Sequence, residues 1–128
     1  MPVTPSFAIA SLTVALGGAL GAWLRFLVAR LIPASPFPYA TLLVNLIGSL
    51  LMGLLAGWLL RQPHGAEGWR LLLGVGVLGG FTTFSAFSLE VAQMIQRGTY
   101  SAAALYIAAS LLLGIGCLFL GLAVARAM

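Results

Sequence analysis

GGFTTFSAF, residues Gly79–Phe87, interrupts what is otherwise a membrane helix. No charge occurs from Leu71 to Leu89, so the stretch lies at bilayer depth. Two adjacent glycines weaken a helix by about 1 kcal/mol each relative to alanine. Unpaired backbone at that depth is tolerated only where protein buries it or where it lines a water-filled cavity. A helix broken near the midplane is a recurrent way to set carbonyls and helix ends around ions. Phe81, Phe84 and Phe87 recur every third residue, interleaved with Thr82, Thr83, Ser85 and Ser88. Aromatic edges mixed with hydroxyls point to a permeation path more than to a packing seam.

The rest of the chain has membrane composition. It is 62% hydrophobic and 6% charged, with a mean hydropathy of +1.13. Its 128 residues form one domain, nearly filled by four apolar spans. The spacing predicts an all-α membrane protein with spans at about 7–32, 40–60, 69–96 and 99–125, the third broken near its middle. Prolines 33, 36 and 38 close the first span, QPHGAEG (62–68) is a polar turn, and Arg97-Gly98 turns the third span into the fourth. The third span is long for a bilayer, which a break and tilt accommodate. The net charge of +4 comes from six arginines and two acids. It has no basic tract for nucleic acid and speaks to topology and anion attraction. The single cysteine, Cys117, excludes an intrachain disulfide framework and is expected in the core. The N-terminus lacks a basic region, which argues against a cleaved signal peptide.

Four spans put both termini on one side of the membrane. Orientation should follow the arginine bias. Arg61, Arg70 and Arg126 lie on the terminal side, and Arg25, Arg30 and Arg97 on the other. Three against three either leaves orientation to other factors or implies insertion both ways. In the second case a two-fold dimer of opposite copies brings the same residues to one depth on its axis. Gly17/Gly21 and Gly53/Gly57 are GxxxG pairs that allow close helix approach in lipid. Four thin helices are too few to enclose a pore, so an oligomer is expected.

Polar residues inside the spans are few. Thr41, Asn45 and Ser49 form one stripe on the second span. Asn45 alone reads equally well as an interhelical hydrogen bond. Tyr106 and Ser110 are one turn apart on the fourth span, with Gly114 next on that face. Arg25 either snorkels to the interface or forms the cationic mouth of an anion path. Glu90 is a membrane carboxylate and so a functional candidate, unless an arginine or a helix cap accounts for it. His64 and Glu67 read as solvated loop residues.

GGALGAWLRF (17–26), TLLVNLIGSLLMG (41–53) and GGFTTFSAF (79–87) together resemble the signature segments of the small bacterial fluoride channels, the Fluc or CrcB family. The resemblance runs through all four spans in order. It implies a dual-topology antiparallel homodimer in the lipid of the bacterial inner membrane, exporting cytoplasmic fluoride passively through two paths along the dimer interface. It also implies a structural sodium ion on the two-fold axis, held by the backbone carbonyls of Gly79 and Thr82. Phe84 and Phe87 match the family's phenylalanine box, Asn45 the asparagine beside it, and Arg25 a vestibule arginine. Thr41, Thr83, Ser85, Tyr106 and Ser110 match polar positions near the path. Ala86 and Gly114 stand where hydroxyl residues are common in the family, and Phe81 is assigned to packing.

The chemistry agrees with that resemblance. Fluoride is small and strongly hydrated, so a pore must replace its water with donors. Amide, hydroxyl and phenol groups donate, and ring edges carry the positive part of the aromatic quadrupole. Weak donors hold an ion without trapping it. The alternative is a dual-topology small multidrug transporter, which needs a carboxylate in its first span; none is present. An enzyme would need a nucleophile with a base or a metal cluster, and the only histidine is in a loop.

Overall fold

The computed structural model describes residues 5–62 and 64–128. Four helices are long and apolar enough to cross a membrane: Phe7–Leu31, Tyr39–Leu59, Glu67–Gln96 and Tyr100–Ala127. The first is capped by Ser6, whose hydroxyl accepts from the Ile9 N–H at 3.4 Å. It ends as Ile32 turns extended ahead of Pro33. The turn into the fourth helix is closed by the Thr99 N–H donating to the Met94 carbonyl at 3.0 Å, with Gly98 at φ +75°.

Glycine, not side-chain volume, sets how the helices pair. The first helix packs on the upstream part of the third span, and the second on the fourth. A methyl group on Gly17 would come within 3.0 Å of the Gly76 Cα, and one on Gly21 within 2.8 Å of the Phe81 nitrogen. Gly53 and Gly57 do the same for the second helix, against the Leu118 carbonyl and Ala125. Lipid offers no hydrophobic drive between helices, so backbones meet directly and gain by dispersion contact.

The third span departs from regularity in a way its sequence does not announce. Glu67–Trp69 is α-helical, Arg70–Leu78 winds as a π-helix, and Gly79–Phe81 returns to α. Gly79 and Gly80, expected within the break, are helical. The interruption is confined to Thr82 (ψ 159°) and Thr83 (φ −152°, ψ 122°), and the helix resumes over Phe84–Gln96. A glycine pair costs a helix only about 2 kcal/mol in total, and Gly80 lets the span approach the first helix closely. Gly80 is seated against the Gly18 carbonyl.

A small core of Phe87, Met94, Ala103 and Tyr106 joins the downstream half of the third span to the fourth helix, with Phe37 and Leu42 packed on it. Phe81 is also buried. Cys117 is half-buried, not in the core as expected. Most large apolar side chains elsewhere are exposed on the protomer, as a hydrocarbon-facing surface requires.

Candidate functional site

The two extended residues are held from the second helix. The Thr83 N–H donates to Asn45 Oδ1 at 2.9 Å, and Asn45 Nδ2 donates to the Thr83 carbonyl at 3.0 Å. The Thr83 hydroxyl accepts from the Ala86 N–H at 3.1 Å and so caps the resumed helix. It also lies 3.3 Å from the Ser85 hydroxyl. The Thr82 hydroxyl donates back to the Leu78 carbonyl at 3.0 Å. Two backbone oxygens are treated differently. The Thr82 carbonyl accepts no backbone or side-chain hydrogen bond among the described residues. The regular helical donor to the Gly79 carbonyl is the Thr83 N–H, which Asn45 engages instead.

A second polar group lies two turns downstream. Glu90 accepts from the Thr41 hydroxyl through Oε1 and from the Tyr106 phenol through Oε2, both at 2.6 Å. Its partners are thus hydroxyls from the second and fourth helices, neither an arginine nor a helix cap. Two short hydrogen bonds to one carboxyl group tie three spans together. Glu90 was singled out in the sequence as a membrane carboxylate, but its partners are remote in the chain and no local signal names them.

The aromatic residues divide. Phe87 is 9% exposed, and its ring centroid lies 5.1 Å from that of Tyr106. Phe84 is 5.6 Å from Phe87 by centroid but 76% exposed. They are neighbours on one helix, one facing inward and the other the protomer surface.

Two cavities flank the Asn45–Thr83 pair, and Thr83 lines both. One, of about 400 Å³, is bounded by Arg25, Phe26, Thr41, Ala86 and Glu90. The Arg25 Nε atom is buried there without a hydrogen-bond partner among the described residues. Among the described residues the only ion pair is exposed, between Arg70 and Glu67 at 2.7 Å, so Arg25 and Glu90 share a cavity without pairing. The other, of about 270 Å³, is lined by Asn45, Ser49, Thr82, Phe84 and Leu118. Arg25, Thr41, Asn45, Thr82, Thr83, Ser85, Phe84, Phe87 and Tyr106 therefore gather around the interruption. Ser110 lies a turn beyond Tyr106 and is half-buried, bordering neither cavity. One further turn on, a methyl group at Gly114 would sit 3.9 Å from the Ser49 hydroxyl. Gly79 is exposed on the protomer surface. No cluster of His, Cys, Asp or Glu among the described residues suits a transition metal. The oxygens present are carbonyls and hydroxyls, which suit a hard cation.

Comparison with known proteins matches this sequence to one family. The model described as CrcB-like protein, Camphor Resistance (CrcB), matches residues 12–122. A protein of Novosphingobium aromaticivorans named fluoride-specific ion channel FluC is 58% identical over 118 residues, covering 88% of this chain and 93% of the relative. A protein of the same name from Caulobacter sp. is 56% identical, covering 90% of this chain and 93% of its own length. Another from Erythrobacter litoralis is 54% identical over 125 residues, covering 91% and 92%. With a family model matched over most of its length and relatives above half identity, this four-span chain belongs to the CrcB family.

Proposed function

We propose that the chain is a fluoride-selective channel that exports cytoplasmic fluoride passively, working as an antiparallel, dual-topology homodimer with two pores in the bacterial inner membrane. The observation that carries this reading is identity of 54–58%, over nearly the whole chain, to proteins named fluoride-specific ion channel. It is a channel reading and not an enzymatic one.

The local chemistry supports it. Donors that can replace water around a small anion surround the interruption: the second N–H of the Asn45 amide, the Ser85 and Thr83 hydroxyls, and the edges of Phe84 and Phe87. Arg25 supplies unpaired positive charge at the mouth of the cavity that Thr41, Thr83 and Glu90 line. Tyr106 and Thr41 present hydroxyls at the same depth as Glu90, and Ser110 continues that face. The exposed ring of Phe84 calls for a partner surface, which a second copy would provide. The balanced arginines, three on each side, support insertion in both orientations.

A sodium ion on the dimer axis fits the backbone. The Thr82 carbonyl lacks a donor and the regular donor of Gly79 is engaged elsewhere; unwound carbonyls are the usual membrane ligands for Na⁺. When bound, the ion supplies fixed positive charge between the two paths. Gly79 and Thr82 would hold it, and Asn45 and the Thr83 cap keep those residues in place.

The test is ion efflux from liposomes containing purified protein. Fluoride is expected to leave rapidly and chloride to be retained. Equal efflux of both ions would remove the fluoride reading. Reporters fused to the C-terminus should appear on both sides of the membrane, and a single orientation would remove dual topology.

A further inference from the structure

We propose that Asn45 is a positioning residue for the cation site, because it takes the Thr83 N–H away from the Gly79 carbonyl. This rests on the reading of Gly79 and Thr82 as sodium ligands. In an unbroken helix the Thr83 amide would donate to the carbonyl four residues back, which is that of Gly79. It donates instead to Asn45 Oδ1 at 2.9 Å, while the Thr83 carbonyl takes Asn45 Nδ2 at 3.0 Å. One side chain from another span thus replaces both the acceptor and the donor that a continuous helix would provide. A carboxamide is suited to this, since it offers a donor and an acceptor in one plane, as a peptide group does.

The consequence concerns the Gly79 oxygen. Thr83 has its N–H and carbonyl engaged by Asn45 and its hydroxyl oxygen engaged by the Ala86 N–H, which leaves the hydroxyl proton to donate. The Thr82 hydroxyl is satisfied by Leu78. Among the carbonyls that the interruption leaves without a helical donor, from Gly79 to Thr82, Asn45 accounts for that of Gly79, and carbonyl oxygen is the chemistry a hard monovalent cation requires. The site is therefore made by the second helix acting on the third, and it exists before any cation arrives. A preformed site avoids the cost of ordering ligands on binding. Without Asn45, the Thr83 N–H returns to Gly79 and competes with the cation for that oxygen.

Two measurements test this. In the first, sodium chloride is titrated calorimetrically into sodium-free protein. Asn45→Ala is expected to bind sodium at least about tenfold more weakly than wild type, the equivalent of one hydrogen bond regained by the helix. Asn45→Asp keeps an oxygen for the Thr83 N–H, so it should retain sodium binding while losing fluoride flux. Wild-type sodium affinity in Asn45→Ala, with flux lost, would make Asn45 an ion ligand only and overturn the proposal. In the second, wild-type protein in sodium-free buffer is probed by NMR for scalar coupling across the hydrogen bond from the Thr83 amide. Coupling to the Asn45 side-chain carbon is expected, and coupling to the Gly79 carbonyl would overturn the proposal even if the variant fails to assemble. If wild type binds no sodium yet shows the Asn45 coupling, the cation reading fails while the diversion of the Thr83 N–H stands.

Discussion

The two halves of the third span are held in opposite ways. Upstream, Glu67–Phe81 meets the first helix backbone to backbone, with Gly76 and Gly80 against Gly17 and Gly18. Downstream, Phe84–Gln96 meets its neighbours through side-chain hydrogen bonds and rings, by way of Glu90, Phe87 and the Thr83 cap. The first contact is fixed by shape and has no room to adjust. The second is fixed by direction, and leaves cavities on either side of Thr83. A membrane protein without a hydrophobic drive between helices has both means available. Here the rigid one anchors the span, and the directional one surrounds the candidate path.

Substitutions can break that contrast. The largest effect is expected for Gly21→Val. Its first carbon would meet the Phe81 backbone nitrogen at 2.8 Å and overlap the Val77 carbonyl. Backbone cannot move aside as a side chain can, so a loss of about 3 kcal/mol or more is expected. Size-exclusion profiles and thermal unfolding in detergent check it. A variant with wild-type Tm would mean that the upstream half is not locked by shape.

Next in size is Tyr106→Phe, which removes one of the two donors to Glu90 from a fully buried side chain. A cost of about 1–3 kcal/mol is expected. Thr41→Val removes the other donor, and the double variant should be non-additive because both serve one carboxylate. Strict additivity would show that the Glu90 group is not a unit.

A smaller stability effect sharpens the downstream comparison. Phe84→Ile should change packing within the protomer by no more than about 0.5 kcal/mol, since that ring is exposed on the protomer, and any larger loss of stability would come from the contact with a second copy. Phe87→Ile should cost about 1 kcal/mol, because its ring is buried against Tyr106. Both should cut fluoride efflux strongly. Normal flux in both would move the path off this helix face.

The smallest expected effect is Gly116→Ala. Among the described residues nothing lies within 4 Å of a methyl group there, so a helix gain of about 0.5–1 kcal/mol is expected. A loss in the assembled protein would seat a second backbone against the fourth helix.

The four spans were legible because apolar runs of that length have one common use, and the helix bounds differ from expectation by at most two residues. The Gly17/Gly21 and Gly53/Gly57 seams were legible for the same reason of chemistry. The position of the interruption was not. Gly79 and Gly80 carry the local signal, yet helical bonding survives there and fails at Thr82 and Thr83. What decides is an amide on another span, and local propensity contains no term for it. The pairing of Glu90 with Thr41 and Tyr106 is unreadable for that reason too, and no residue of Arg70–Leu78 signals its π-helical turns.

The division of the third span bears on how the chain enters the bilayer. Its upstream piece, Glu67–Phe81, is partly π-helical and so shorter than the roughly 22 Å an α-helix of its length would span, and its downstream piece is 13 residues, or roughly 20 Å. Neither reaches across a hydrocarbon layer of about 30 Å. The insertion machinery is therefore expected to meet one continuous segment, with the Thr83 amide still paired inside its own helix. The kink is expected to be a late event in biogenesis, appearing once the second helix has docked and delivered its carboxamide.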